Sequence, residues 1–439
     1  MSQTNRNISN LSWLLLTRIL RIFLSIFISI WVARYLGPTE YGLFNYVLAI
    51  VALISIFSSL GLEQIFVKKL LEKKEDENAL LGSAFLLKLI GSFILIALAL
   101  IIALLKDESG VFILLATFIS LSYIFKAFEV IQYWFEAHLL SKKSSKIDLY
   151  AMLLSFAFKI LLIIFDAGII WFGVAVLFEA VVLSMGLIII YMREQNFLLW
   201  RTSYPVMKNL LINAWPLILA GALFTIYTKV DQVMLGDMID NTTVGIYVAA
   251  VTLSQGWLFL PSIIGKAFYP QMLNSKNESR EKYLETTQHL LNMIAFIGIL
   301  AAIIITLFSS YIILFTFGES YSLSAPILAL HVWGGVFTAM SAISYRYFIA
   351  ENLQKTSFYR GVVGLIVNIV FNLMLIPIYG GIGAAIATVI SLAFSLYLFN
   401  AFTKSTREMF LMQSKAILLI GSIGSLKHIA QLIKTRNTK

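Results

Sequence analysis

The chain is a succession of long apolar runs separated by short polar breaks, and the runs have the length of a bilayer crossing. A helix needs about 20 mostly apolar residues to span a hydrocarbon core roughly 30 Å thick. Twelve runs meet that requirement, near residues 11–33, 42–66, 80–104, 111–135, 147–165, 168–191, 209–230, 243–265, 288–315, 323–348, 358–377 and 380–402. Transmembrane barrel strands are much shorter and alternate in polarity, so the pattern predicts an all-α polytopic membrane protein of about 12 transmembrane helices. A weaker stretch, Ala416 to Leu426, is too short to span and reads as an interfacial helix beside a basic tail. The first run carries Arg18 and Arg21 and continues into Val32-Ala33-Arg34-Tyr35-Leu36 without a small-residue cleavage site. It reads as a retained span, not a leader.

Composition agrees with this. Hydrophobic residues make up 59% and charged residues 13% of the 439 positions, with mean hydropathy +0.87. Soluble domains average about 45–50% apolar and about 25% charged. The absence of cysteine excludes a disulfide scaffold and a thiol enzyme. The net charge of +10 resolves once it is placed on the spans. With the N-terminus inside, and with Arg346 and Arg360 at the run edges counted in the tenth loop, 25 of the 33 basic residues fall in cytoplasmic segments, two (Arg34 and Lys106) in external loops and six within spans. That bias places both termini in the cytoplasm. The charge marks topology and offers a surface to anionic lipid. With no zinc-ligand spacing or phosphate-binding glycine loop beside it, no nucleic acid, metal or cofactor is called for.

The two halves of the chain echo each other. Leu36-Gly37 followed by Tyr41-Gly42-Leu43-Phe44 recurs as Leu235-Gly236 followed by Val244-Gly245-Ile246-Tyr247, and Phe172-Gly173-Val174-Ala175-Val176 parallels Ile382-Gly383-Ala384-Ala385-Ile386. Six spans per repeat give two parallel repeats: a lobe over 1–192, a cytoplasmic linker at 193–208, a second lobe over 209–403 and a basic tail at 404–439. Parallel repeats of this kind commonly enclose a central site and rock about it in alternating access. A transporter is the class this predicts.

A charge at the bilayer centre costs at least about 2.5–3.5 kcal/mol, so charges inside spans face a cavity or a partner. Arg18, Arg21, Ser25 and Ser29 share one face of the first span. Arg18 also lies where a long side chain snorkels to the cytoplasmic headgroups. Two guanidiniums one turn apart, with no carboxylate in their own span, suit a phosphate-bearing ligand. In the fourth span Ser122, Lys126, Glu129 and Tyr133 form a stripe on which Lys126 and Glu129 are spaced for a structural ion pair or a ligand contact. The seventh span carries Gly221, Thr225, Thr228 and Gln232 and closes with Lys229 and Asp231, placed for a helix-end or a functional role. Lys88, Lys159 and Glu179 stand without an evident partner. Glu129, Glu179 and Asp231 are the candidate ion-coupling acids. Asn368 and Asn372 suit helix–helix hydrogen bonding, and His331 suits a buried hydrogen bond. Six basic residues against three clear acids within the spans favour an anionic ligand.

Three segments resemble the Wzx-type polysaccharide flippases of the multidrug/oligosaccharidyl-lipid/polysaccharide exporter superfamily. Ala33-Arg34-Tyr35-Leu36-Gly37-Pro38-Thr39-Glu40-Tyr41-Gly42 is similar to the family's first-loop signature. Tyr227-Thr228-Lys229-Val230-Asp231-Gln232-Val233-Met234-Leu235-Gly236 resembles its seventh-span ending. Asn372-Leu373-Met374-Leu375-Ile376-Pro377, with Gly380 and Gly383-Ala384-Ala385-Ile386-Ala387-Thr388, resembles its eleventh-to-twelfth hairpin. The resemblance runs to about residue 405. It implies a V-shaped protein whose two lobes flank a cationic cavity, residing in the bacterial cytoplasmic (inner) membrane. It implies as cargo an oligosaccharide repeat unit linked to undecaprenyl diphosphate, flipped from inner to outer leaflet for O-antigen, capsule or exopolysaccharide. A glycan polymerase and a chain-length regulator are the implied protein partners. Arg18, Arg21, Ser25, Lys126 and Lys229 are then the candidate substrate-binding residues. A drug or amphiphile exporter of the same superfamily is the nearest alternative. An integral membrane polymerase or acyltransferase is the different-class alternative, against which stand the short external loops and the lack of an external His/Asp/Glu cluster.

Overall fold

The computed structural model describes residues 3–106, 109–421 and 424, with side chains from Thr17 onward except that of Arg18. Among these residues there is no strand. The order is α1 (Gln3–Ile54), α2 (Ile56–Ser59), α3 (Leu62–Glu72), α4 (Glu77–Leu105), α5 (Gly110–Lys126), a 3-10 turn (Ala127–Glu129) and α6 (Val130–Ala137). Then come α7 (Ser141–Ile164), α8 (Ile170–Tyr191), α9 (Tyr204–Met238), α10 (Asn241–Gln255), α11 (Phe259–Glu278) and α12 (Arg280–Thr316). The chain ends with α13 (Ser324–Ala350), α14 (Gln354–Ala393), α15 (Phe399–Phe402) and α16 (Arg407–Ile417).

Ten helical stretches of the described chain are long and apolar enough to cross a membrane. Two of them double back on themselves, in α1 at Gly37 (φ 71°, ψ 171°) and in α14 at Gly380 (φ 54°, ψ −129°). The twelve apolar runs therefore remain separate arms. The doubling is visible in the contacts. Ser29 Oγ and Tyr41 Oη are 2.6 Å apart, whereas twelve residues of straight helix would separate their backbones by about 18 Å. Ser395 Oγ likewise donates to the Arg360 carbonyl across the α14 hairpin at 2.9 Å. Both turns need glycine, because these φ/ψ pairs lie in regions that side chains rarely enter. Pro38 follows the first turn directly and starts the return arm at the one helical position where a missing N–H costs nothing. At the second turn a Cβ on Gly383 would lie 2.3 Å from the Leu375 carbonyl oxygen, so the arms meet at backbone distance.

Other runs are broken where a uniform hydropathy pattern gives no warning. The second run breaks at Leu60 and Gly61, both left-handed (φ 50° and 53°), and releases the amphipathic α3. The fourth is interrupted by the 3-10 turn.

The chain forms two compact units, Met1–Val233 and Met234–Lys439, and the division falls within α9. The polar segment 193–208 is tied into the first unit. The Arg201 N–H donates to the Asn78 carbonyl at 3.1 Å, and the Ser203 N–H donates to Ser83 Oγ at 3.0 Å. One core of the first unit gathers Leu62, Phe66, Leu81, Ile131, Phe135 and Leu210 from α3, α4, α6 and α9. In the second unit Met272, Leu291, Met340 and Tyr347 pack with Met409 and Met412 of α16. This helix ends at Ile417, so it precedes the expected Ala416–Leu426 segment, most of which is a turn or outside the described residues. Large apolar side chains left exposed on the long helices, such as Leu105, Phe224, Leu307 and Phe315, are the surface offered to lipid.

Gly37→Ala and Gly380→Ala are each expected to lower stability by about 1–3 kcal/mol, read as a fall in thermal midpoint of the detergent-solubilised protein. Gly221→Ala, whose added methyl meets open space, is the control and leaves the midpoint unchanged or higher.

Candidate functional site

The charges inside the spans of the first unit are organised as ion pairs between helices. Lys88 on α4 is the deepest, with about 1% of its surface exposed. Its Nζ lies 2.8 Å from Glu129 Oε2 and donates to Tyr133 Oη at 3.2 Å. Lys159 on α7 faces Glu179 on α8 at 3.8 Å. Arg21 on α1 is ion-paired with Asp148 on α7. These contacts link α1, α4, α7, α8 and the 3-10 turn through charge.

This arrangement corrects three expectations. Lys88, Lys159 and Glu179 are not isolated. Glu129 does not pair with Lys126 on its own stripe but turns to Lys88. The physical reason is desolvation: a buried ammonium needs a counter-charge far more than a half-buried one. Lys126 is instead seated on the Tyr123 ring, with Nζ 4.1 Å from the centroid. Arg21, read from its own span as free of carboxylates, has one from another span. Asp148 lies at the edge of the fifth apolar run, and only its partner 127 positions away reveals it.

The remaining candidates lie as follows. Ser25 is exposed and donates to the Ile22 carbonyl of its own helix at 2.9 Å. The Arg18 side chain lies outside the described residues. On α9, Lys229 is half-buried and its Nζ is 3.4 Å from Gln232 Oε1, while Asp231 and Gln232 are buried. Among the described residues neither Lys126 nor Lys229 has a carboxylate within ion-pair distance. Among the described side chains of the first unit's apolar runs, those two lysines are the cations without such a carboxylate.

In the second unit, His331 Nδ1 is 2.7 Å from Ser254 Oγ in a buried contact. Asn372 donates to Asn368 Oδ1 at 3.1 Å along α14. Two arginines lie at the edges of the tenth and eleventh apolar runs. Arg346 lies in α13 against Gly265, and Arg360 is buried in α14 with its guanidinium 5.0 Å from the Phe348 ring centre. A polar cluster joins the helix ends here: Arg280 pairs with Glu351 at 2.9 Å and with Glu408 of α16, while Lys276 pairs with Glu351 at 2.9 Å.

Long apolar helices in two units, with interior charges linking helices, define a polytopic membrane protein. The chain belongs to the polysaccharide biosynthesis protein family, whose model matches residues 8–276. A second model, MatE, matches residues 216–374. Over 409 residues the chain is 22% identical to the capsular polysaccharide biosynthesis protein CapF of Staphylococcus aureus, covering 90% of this chain and 99% of that protein. It is 29% identical over 171 residues to the probable flippase AglR of Haloferax volcanii, covering 38% of this chain and 36% of that one. Among solved structures it resembles the lipid II flippase MurJ in an inward closed conformation, with TM-score 0.74 at 16% identity over 98% of this chain and 99% of that one. An inward-facing multidrug resistance MATE family transporter matches with TM-score 0.60 at 16% identity, covering 91% and 95%. The family assignment is to transporters, not enzymes. Among the described residues no group of three or more His, Asp and Glu could hold a metal ion.

Glu129→Gln leaves Lys88 buried without its counter-charge and is expected to cost about 3–5 kcal/mol. Adding Lys88→Met to that variant recovers most of the loss. Thermal unfolding in detergent reads both, and an undiminished midpoint for Glu129→Gln alone would overturn the importance given to this pair.

Proposed function

We propose that the chain flips an undecaprenyl-diphosphate-linked oligosaccharide repeat unit from the inner to the outer leaflet of the cytoplasmic membrane, by alternating access of its two lobes. The reading rests on the polysaccharide biosynthesis family match over residues 8–276, which takes in nearly all of the first unit and every basic residue found within spans by hydropathy. The whole-length likeness to a capsular polysaccharide biosynthesis protein supports it.

The physical requirement is replacement of water. A diphosphate bearing several sugars cannot enter hydrocarbon, because its charges and hydroxyls would lose their hydration uncompensated. In this reading Arg18, Arg21, Ser25, Lys126 and Lys229 take over that role while the polyprenyl tail stays in lipid. Lys126 and Lys229 are the cations best able to accept an anion without first giving up a carboxylate. Carrying about two negative charges outward across an inside-negative potential of about 100 mV is favourable by roughly 4.6 kcal/mol. The potential alone therefore suffices to set direction, and proton or sodium entry through Glu129, Glu179 or Asp231 is the competing source of drive. Both termini are assigned to the cytoplasm on the Lys/Arg bias. Membrane lipids, a glycan polymerase and a chain-length regulator are the assigned partners.

The MatE match over residues 216–374 favours drug or amphiphile export as the second reading. Complementation separates the two. Under the flippase reading, Arg21→Ala lowers surface glycan at least tenfold at unchanged membrane abundance, and Lys126→Ala with Lys229→Ala does the same. Expression in a pump-deficient strain confers no drug resistance. Full glycan export by Arg18→Ala/Arg21→Ala would overturn the anion assignment, and drug resistance with no rescue of glycan export would establish the second reading.

A further inference from the structure

The three ion pairs of the first unit differ in how sealed they are. Lys88 of the Lys88–Glu129 pair has 2% of its side chain exposed, and Lys159 of the Lys159–Glu179 pair has 15%. In the Arg21–Asp148 pair the guanidinium is 49% exposed and the carboxylate 25%. That pair alone is open on both partners. It is also the only one built on arginine, whose planar fork accepts a carboxylate and a phosphoryl group in the same geometry. Asp148 lies seven residues into α7, at the edge of the fifth apolar run, and its carboxylate is about three-quarters buried.

Resting on the anion-binding reading of Arg21, we propose that Asp148 is a displaceable internal counter-ion. It occupies Arg21 when no cargo is present, gives way to the diphosphate of the lipid-linked cargo, and retakes Arg21 as the cargo leaves. The exchange keeps the arginine compensated at every stage, which matters where an isolated charge is costly. It also sets affinity, because only the fraction of molecules with Arg21 released is competent to bind. Asp148 is thus an affinity-setting residue that works through Arg21.

The test is binding of farnesyl diphosphate and inorganic pyrophosphate to the full-length protein in detergent. Removing the competitor in Asp148→Asn tightens farnesyl diphosphate binding about fivefold, the factor expected when a partly exposed pair of ordinary strength is abolished. In an Arg21→Ala background the same change has no effect. Pyrophosphate gains by the same factor, and a gain confined to the lipid would overturn displacement by charge. The chain contains no cysteine, so Asp148→Cys supplies a control that does not depend on refolding. Methyl methanethiosulfonate, which leaves the site neutral, keeps the tight binding, and the sulfonatoethyl reagent, which restores a negative charge, reverses it. If Arg21→Ala leaves binding intact, the anion assignment and this proposal fall together. If Arg21→Ala weakens binding but Asp148→Asn does not tighten it, and the two cysteine adducts bind alike, the pair is structural and the proposal alone is overturned.

Discussion

Lys88 sits almost wholly inside a bundle of apolar helices, and its ammonium is tolerable there only because Glu129 and Tyr133 reach it from the neighbouring chain segment. The same need for compensation recurs along the first unit at Lys159 and Arg21, and each time the counter-charge comes from a different helix. Compensation across helices does two things at once. It holds the helices in register, since a displaced partner would strand a charge in a medium that cannot solvate it. It also decides which cations remain available, because a lysine already neutralised by a glutamate offers an anion little. Lys126 and Lys229 stand out by this accounting, and not by their depth or their position on a stripe.

A second constraint acts on the backbone. Within hydrocarbon every N–H and C=O needs an internal partner, so the chain must cross as helix and reverse direction in very few residues. At Gly37 and Gly380 reversal is achieved at a single glycine, with proline close by. The arms of each hairpin are then close enough for side chains and backbone to meet, as Ser29 meets Tyr41 and Gly383 meets Leu375. In the second unit Arg280, paired with Glu351 and Glu408, ties the C-terminal helix to its neighbours.

Much of this was readable from residue order. Twenty-residue apolar runs are a direct consequence of bilayer thickness, so the crossings were evident, as was the all-α class. The hairpin glycines lie within segments that also carry the family resemblance. The breaks at Leu60–Gly61 and at Ala127–Glu129 were not readable, because hydropathy stays high through both and only packing bends the helix there. Arg346 and Arg360 fall at the edges of their apolar runs, and only packing shows that their guanidiniums lie against Gly265 and Phe348.

The sequence by itself determined that this is a helical membrane protein with an even set of crossings, two echoing halves and more basic than acidic charge within its spans. These follow from local properties: length, hydropathy and counting. The tertiary structure alone decided which charges cancel. Asp148 and Arg21 are 127 positions apart, and Lys88 and Glu129 are 41 apart, and no periodicity along one helix brings such residues together. Electrostatic compensation in a dry interior is a relation between helices, so its outcome is settled only when the helices pack.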